Sequence, residues 1–360
     1  VNRLYVAHGN DAAAMTRRLL EEIKPETGLE SDASIGIKPN LVVAKSWRSG
    51  ATTNTAICAA VIESFQQHGY RNITIIESAW LGENTQRAYR ACGYVELSER
   101  YRVALADVKR DQFEICEDGG LKVEVSKKAL DTDYMINLPL IKGHCQTALT
   151  CALKNMKGLI SDEEKRRFHT LGLHKPIAYL NRMIKPQLTI ADGTCIDPGF
   201  EEGGNPVQLN CMVAGTDSVL VDAFAAGLIG RSVKDIGYIG IAEKIGVGSA
   251  DLKSADIVHL GSGEAQAVDG RFQALEQAKT RIDAQDACSA CYANLLSAMM
   301  RLEQDAPCDD LRVCVGQGYK GQKGRIGSGS CTAGFEYCVK GCPPRADQIY
   351  DALTRLRRTQ

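Results

Sequence analysis

No stretch of the 360-residue chain approaches the ~18 consecutive apolar residues that a membrane-spanning helix needs, so no such span is expected. Net charge is nearly absent: 43 Lys and Arg stand against 44 Asp and Glu, for a formal charge of -1. Nothing in that balance asks for nucleic acid or an acidic membrane surface as partner. There is no G-x-x-x-x-G-K-[ST] loop, and no strand-linked G-x-G-x-x-G in the first part of the chain, so the familiar nucleotide cradles are missing. GQGYKG at 316–321 resembles one only superficially. Compositional bias is missing too. With 44% hydrophobic and 24% charged residues, a disordered, collagen-like or coiled-coil chain is excluded. The opening VNRLYVAHGN reads as a short strand, not a secretory signal, and a leader upstream of Val1 stays open.

Cysteine, by contrast, is in excess. There are 14, still well short of the ~8–10% of a disulfide scaffold. A chain this long makes its core without staples. Reduced, cytoplasmic cysteines are therefore expected, with metal binding as their leading use. Cys58, Cys92, Cys116, Cys145, Cys151, Cys195 and Cys211 are scattered. Cys288, Cys291, Cys308, Cys314, Cys331, Cys338 and Cys342 crowd the end. A boundary near residue 280, after the charged helix-like run 264–282, divides the chain into domains 1–280 and 281–360.

The first domain alternates short apolar runs with helical patterns. Strands are expected at 35–38, 41–44, 73–77, 134–138, 188–191, 210–214 and 257–260. A helix is expected over 54–68, capped by Asn54 and ended by Gly69. The region 79–130 is read as an insertion or a small antiparallel piece. The fold class is α/β: a mainly parallel sheet flanked by helices, with a smaller C-terminal iron–sulfur domain.

In such sheets ligands bind beyond the carboxyl ends of the strands. Lys38 and Asn40, Glu77, Lys142 and His144, Asp192, and Asp217 follow successive predicted strands. The segment 142–158 reads as an amphipathic helix. Leu149, Leu153 and Met156 share one face; Thr147, Thr150, Cys151 and Lys154 share the other, and Gly158 ends it. Free N–H groups at its start would favour a phosphate or carboxylate. The bland alternative is a solvated helix. The stretch 161–182, opened by a Ser161/Glu164 capping box, is a basic lid or simply an exposed helix and loop. Asp217 reads as an N-cap, and Asp222 in the apolar helix behind it pairs with a site lysine or lies on an exposed stripe. Cys145, Cys151 and Cys195 read as core residues rather than redox thiols. His8, His68 and His259 read as structural.

In the C-terminal part, Cys288-x2-Cys291 offers two thiolates from one turn, and Cys338-x3-Cys342-Pro343 resembles the close of a bacterial ferredoxin run. Zinc usually takes two tight knuckles, and only one is present. Iron–sulfur is favoured over zinc, and no metal at all is the third option. Seven cysteines cannot hold two separate four-thiolate clusters, so one [4Fe-4S] is expected.

KPN at 38–40, the block from Lys142 to Gly158, Asp192-Gly193 and the Asp217/Asp222 helix together resemble the domain of unknown function 362 family. CSACYANL at 288–295, IGSGSCT at 326–332 and KGCPP at 340–344 resemble the iron–sulfur extension of some of its members. The resemblance implies an α/β domain joined to a [4Fe-4S] domain, with Cys288, Cys291, Cys331 and Cys342 as ligands. Cys338 departs from that pattern and competes with Cys331.

The leading expectation is an iron–sulfur oxidoreductase that exchanges single electrons with an anionic ligand, a phosphate or carboxylate. Lys38, Lys142 and Lys154 would hold the anion, and His144 would donate a proton. Asn40, Glu77, Thr147, Thr150, Asp192 and Asp217 would complete the binding site. A ferredoxin-like or flavin donor would be the redox partner, with no nucleic acid and no membrane. Two alternatives stand beside it: a non-enzymatic electron-transfer or cluster-carrying partner, and a non-redox enzyme with a structural cluster.

Overall fold

The computed structural model describes residues 2–204, 206–261, 277–305 and 311–358. Most of the charged run 264–282, and Cys308, lie outside the described residues. The chain divides into two compact units, Val1–Val268 and Asp269–Gln360.

The first unit is an α/β layer structure. Its strands are β1 (Arg3–His8), β2 (Ile35–Pro39), β3 (Ile73–Glu77) and β4 (Ala104–Asp107), then the hairpin β5 (Phe113–Asp118) and β6 (Leu121–Ser126). They continue as β7 (Tyr134–Leu138), the hairpin β8 (Lys142–His144) and β9 (Ala148–Thr150), then β10 (Leu188–Gly193), β11 (Cys211–Gly215) and β12 (Asp256–Leu260). Eight of them form one sheet in the order β12-β1-β11-β10-β7-β2-β3-β4. All neighbours are parallel except at β11, which runs against both β1 and β10. Ile35, Ile37, Ile73 and Ile75 face a core shared with Leu19, Ile57, Val61 and Phe65 of helices Ala12–Ile23 and Thr55–Gln67. Lys38 stands one position on from Ile37 and so faces the other side of the sheet. Asn54 caps Thr55–Gln67 by accepting the Ala56 N–H at 3.0 Å. The 79–130 region holds the expected antiparallel piece, β5–β6.

Four local readings need correction. The run 41–44 is a loop, because carboxylates take the N–H groups that a strand would use: Leu41 donates to Glu77 and Ala44 to Glu83. The segment 142–158 is not one helix. Lys142 pairs with Thr150 and His144 with Ala148 across β8–β9, and only then come the helix Ala152–Asn155 and a 3-10 turn, Met156–Leu159. Ala148 takes φ 63°, the left-handed turn conformation, and Gly143 lets loop 197–201 press on the hairpin. A Cβ on Gly143 would sit 2.1 Å from Pro198 O. Asp222 is fully buried and accepts the Ala152 and Leu153 N–H groups at 2.6 and 3.1 Å, so it neither pairs with a lysine nor lies on an exposed stripe. Burial pushes its carboxyl up to about 7. The N-terminal N–H groups expected to bind a ligand are thus answered within the protein. Ser161 caps helix Asp162–Thr170 through the Glu164 N–H, but Glu164 turns its carboxylate to Arg167.

The second unit carries a parallel sheet β13 (Ile282–Ala284), β14 (Val313–Val315), β15 (Ile326–Ser328) and β16 (Tyr337–Val339), with helices Ser289–Asp305 and Ala346–Arg358. Gly316 (φ 122°) and Gly329 (φ 98°) turn the chain out of β14 and β15 into 3-10 turns. Among the described residues, no helix is long and apolar enough to cross a membrane.

The ion pair of Lys38 and Glu77 at the ends of β2 and β3 is 2.9 Å long with both side chains almost wholly buried. Glu77→Gln strands the ammonium and should cost about 3–5 kcal/mol in urea denaturation of the full chain. The double variant Lys38→Met/Glu77→Leu should cost clearly less, because no buried charge is left alone.

Candidate functional site

The strand-end residues form two tiers. The inner tier is buried and bonded to itself. Lys38 Nζ donates to Pro39 O at 2.7 Å beside its contact with Glu77. Burial lowers the Lys38 pKa against the opposing pull of Glu77. Glu77 accepts the N–H groups of Ser78 and Leu41 at 2.7 and 2.8 Å. Asn40 Nδ2 donates to Asn155 Oδ1 at 2.9 Å, and Asn155 Nδ2 donates to Asn137 Oδ1 at 2.7 Å. Lys142 Nζ donates to Asn40 Oδ1 at 2.9 Å and to Ala51 O at 2.5 Å. Asp192 accepts the Asn54 and Thr194 N–H groups and the Thr194 hydroxyl at 2.9, 2.8 and 2.6 Å. Thr147 Oγ1 donates to Leu149 O at 3.0 Å. Lys38, Asn40, Glu77, Thr147 and Asp192 therefore form a frame that holds the strand ends.

Asp217 does not join them. It follows β11, the reversed strand, and so lies at the opposite end of the sheet's strands. There it caps helix Ser218–Leu228 and accepts from Asn2 and Ser249.

The outer tier is a cluster of cations. Lys154 and Lys157 are half-buried, above Lys142, His144 and His169. Lys154 Nζ donates to Thr150 Oγ1 at 3.3 Å, and Lys157 Nζ stands 5.9 Å over the Phe168 ring. Gly158 lets this segment lie on the ion pair: a Cβ there would be 2.3 Å from Glu77 Oε1 and 2.6 Å from Lys38 Nζ. Burial lowers the whole group, and repulsion from neighbouring cations adds to it at Lys142, His144, Lys157 and His169. Lys142 falls to about 7, and Lys154 falls to about 8 through burial alone. Lys157 falls well below the usual lysine range, with Lys154 and Lys165 as its repelling neighbours. His169 falls to about 3. His144 falls well below its usual value, so at neutral pH it is an uncharged imidazole. That corrects the expectation of an imidazolium acid poised near neutrality.

The tautomer of His144 is fixed by its neighbours. Nδ1 accepts the Gln146 and Thr147 N–H groups at 3.0 and 3.3 Å, so the ring proton sits on Nε2. Nε2 lies 3.5 Å from Glu201 Oε1. The same oxygen lies 3.1 Å from Cys145 Sγ. The donor atoms of His144, Cys145 and Glu201 all fall within 4.8 Å of one another, a spacing that can hold a metal ion. Sequence reading missed Glu201 and treated Cys145 as core. The available signal was Gly143 between Lys142 and His144, which marks the close approach of the loop that carries Glu201.

In the second unit, Cys288 precedes helix Ser289–Asp305 and Cys291 lies in its first turn. Cys331 sits in the turn Ser330–Thr332, and Cys342 follows β16. The four thiols come together. Burial and then repulsion from Cys288, Cys342 and Cys331 push Cys291 up to about 12. Gly329 would place a Cβ 3.8 Å from Cys291 Sγ. Cys338 is turned elsewhere, toward Gly329 O and Thr332 Oγ1, each at 3.5 Å. Four converging soft donors fit a thiolate-held metal centre.

A family model described as "Domain of unknown function (DUF362)" matches residues 35–227. The chain belongs to the DUF362 family. The matched span holds both tiers of the site. A thylakoid-associated protein of Synechocystis sp. (strain ATCC 27184 / PCC 6803 / Kazusa) is 22% identical over 253 residues, covering 66% of this chain and 77% of that one. Among solved structures, the lactate racemase apoprotein from Thermoanaerobacterium thermosaccharolyticum matches at TM-score 0.39 and 14% identity, over 59% of this chain and 54% of that one. A structural-genomics target from Thermotoga maritima matches at TM-score 0.40 and 12% identity, over 66% of this chain and 60% of that one. The DUF362 chain thus spans somewhat over half the length of either solved structure.

Lys142 and Lys154 are charged below about 7 and 8 and lose their protons above those values. Affinity for a small carboxylate, whose own charge is constant there, should fall as pH rises from 6.5 to 9. Calorimetric titration checks this, and a flat profile would refute it. Lys154→Met should weaken the same binding about tenfold at pH 7. It should also raise thermal stability, because a buried repulsion is removed.

Proposed function

We propose that this DUF362 protein is an iron–sulfur oxidoreductase acting on a phosphate or carboxylate ligand. The observation that carries the reading is the convergence of Cys288, Cys291, Cys331 and Cys342, although more than one segment of the chain supplies them. The single C-x2-C knuckle and the Cys342-Pro343 close support a single [4Fe-4S] over zinc. The cluster, when bound, supplies one-electron chemistry.

The chain's own residues do the rest. Lys154 neutralises the anion, Lys157 adds a hydrogen-bond donor near it, and Lys142 is locked on Asn40 and Ala51. Thr150 holds Lys154 in place. His144 presents its Nε2–H as a neutral hydrogen-bond donor rather than as an imidazolium. A ferredoxin-like or flavin protein is the proposed electron partner. The cytoplasm is the proposed compartment, since free thiols persist there.

Anaerobic purification with iron, sulfide and paramagnetic resonance analysis tests the reading. About four irons per chain and a signal that changes with dithionite are expected. Cys331→Ser should lower the iron content, and Cys338→Ser should leave it. Zinc without sulfide would overturn the redox assignment and favour the non-redox alternative.

A further inference from the structure

The anion reading leaves one group of the crevice unused. Cys145 is half-buried, and Glu201 beside it is 7% exposed. The thiol faces Glu201 Oε1 at 3.1 Å, and the Cys145 N–H donates to Glu201 Oε2 at 3.2 Å. Both carboxylate oxygens are thus fixed against one residue. His144 Nε2 lies 3.5 Å from the same carboxylate oxygen that the thiol faces.

A metal ion on these three residues would need the Nε2 lone pair. That requires the proton to move to Nδ1, where two backbone N–H groups already point. The hydrogen bonding of His144 therefore opposes a bound ion and favours a thiol with a carboxylate base.

We infer that Cys145 is a nucleophile and Glu201 its general base, and that the crevice takes an anion with a carbonyl carbon next to its carboxylate or phosphate. The inference rests on the lysine cluster being an anion site. In the step, Sγ bonds to the carbonyl carbon while the C=O π pair moves to oxygen. The thiol proton passes to Glu201, and the oxygen takes a proton from the Lys154 ammonium. The product is a hemithioacetal or hemithioketal, and no oxidant or reductant is consumed. Lys154 is close enough to feel the Cys145 charge.

The test is site-resolved alkylation of the full-length protein under anaerobic conditions, read by peptide mass spectrometry. Iodoacetate and iodoacetamide are compared, with half-buried Cys116 as the internal reference. Cys145 should react at least about tenfold faster than Cys116. Glu201→Gln should remove that advantage without changing Cys116. Should Glu201→Gln fail to fold, Glu201→Asp, which keeps the carboxylate but draws it back, should give an intermediate rate. A preference for iodoacetate at Cys145, lost in Lys154→Met, tests the anion site separately. Fast reaction with no such preference would uphold the nucleophile and sink the anion reading. Reaction no faster than at Cys116, with carboxylate binding intact, would overturn the inference alone. Reaction that speeds up only after a chelator would overturn it in favour of a metal site.

Discussion

The buried ion pair of Lys38 and Glu77 fixes the sheet edge on which the site is mounted. Two charges taken out of water are tolerated only when their remaining bonding capacity is met. Here Pro39 O answers Lys38, and the N–H groups of Leu41 and Ser78 answer Glu77. Those contacts set the path of the chain as it leaves β2 and β3. Gly158 then lies against the pair with no room for a side chain, so the segment bearing Lys154 and Lys157 has one place to sit. The order of causes runs from a desolvated ion pair, through a glycine contact, to the position of the lysines above it.

Those lysines are the opposite case. Burial favours the neutral amine at both, and at Lys157 repulsion from Lys154 and Lys165 adds to it. Such an arrangement lowers stability unless an anion arrives to offset it. Sites of this kind are where a protein gives up folding free energy for binding. Cys145 and Glu201 stand at the margin of this field, where a carboxylate can accept a proton while a nearby ammonium can give one.

Much of the sheet was legible because β2, β3, β7 and β10 are short apolar runs buried on both faces. Their carboxyl ends led directly to Lys38, Asn40, Glu77 and Asp192. Two things were not legible. Strand direction leaves no mark in a single strand, so the reversal of β11 carried Asp217 to the wrong end of the sheet's strands. The β8–β9 hairpin was hidden by chance spacing: Leu149, Leu153 and Met156 fall at helical intervals, and three-residue strands are too short to show alternation. The roles of the framework residues were misjudged for a related reason. Sequence shows that a polar side chain is present, but not whether a neighbour already satisfies it.

The separation of the two tiers has a consequence for how such a chain can diverge. Frame residues are locked to one another, and a change in any of them disturbs several backbone contacts at once. Lys154, Lys157 and Cys145 are half-buried, and exchanging them leaves those contacts in place. The rim can therefore be rewritten while the scaffold is inherited unchanged, and one architecture can present different side chains at the crevice without refolding.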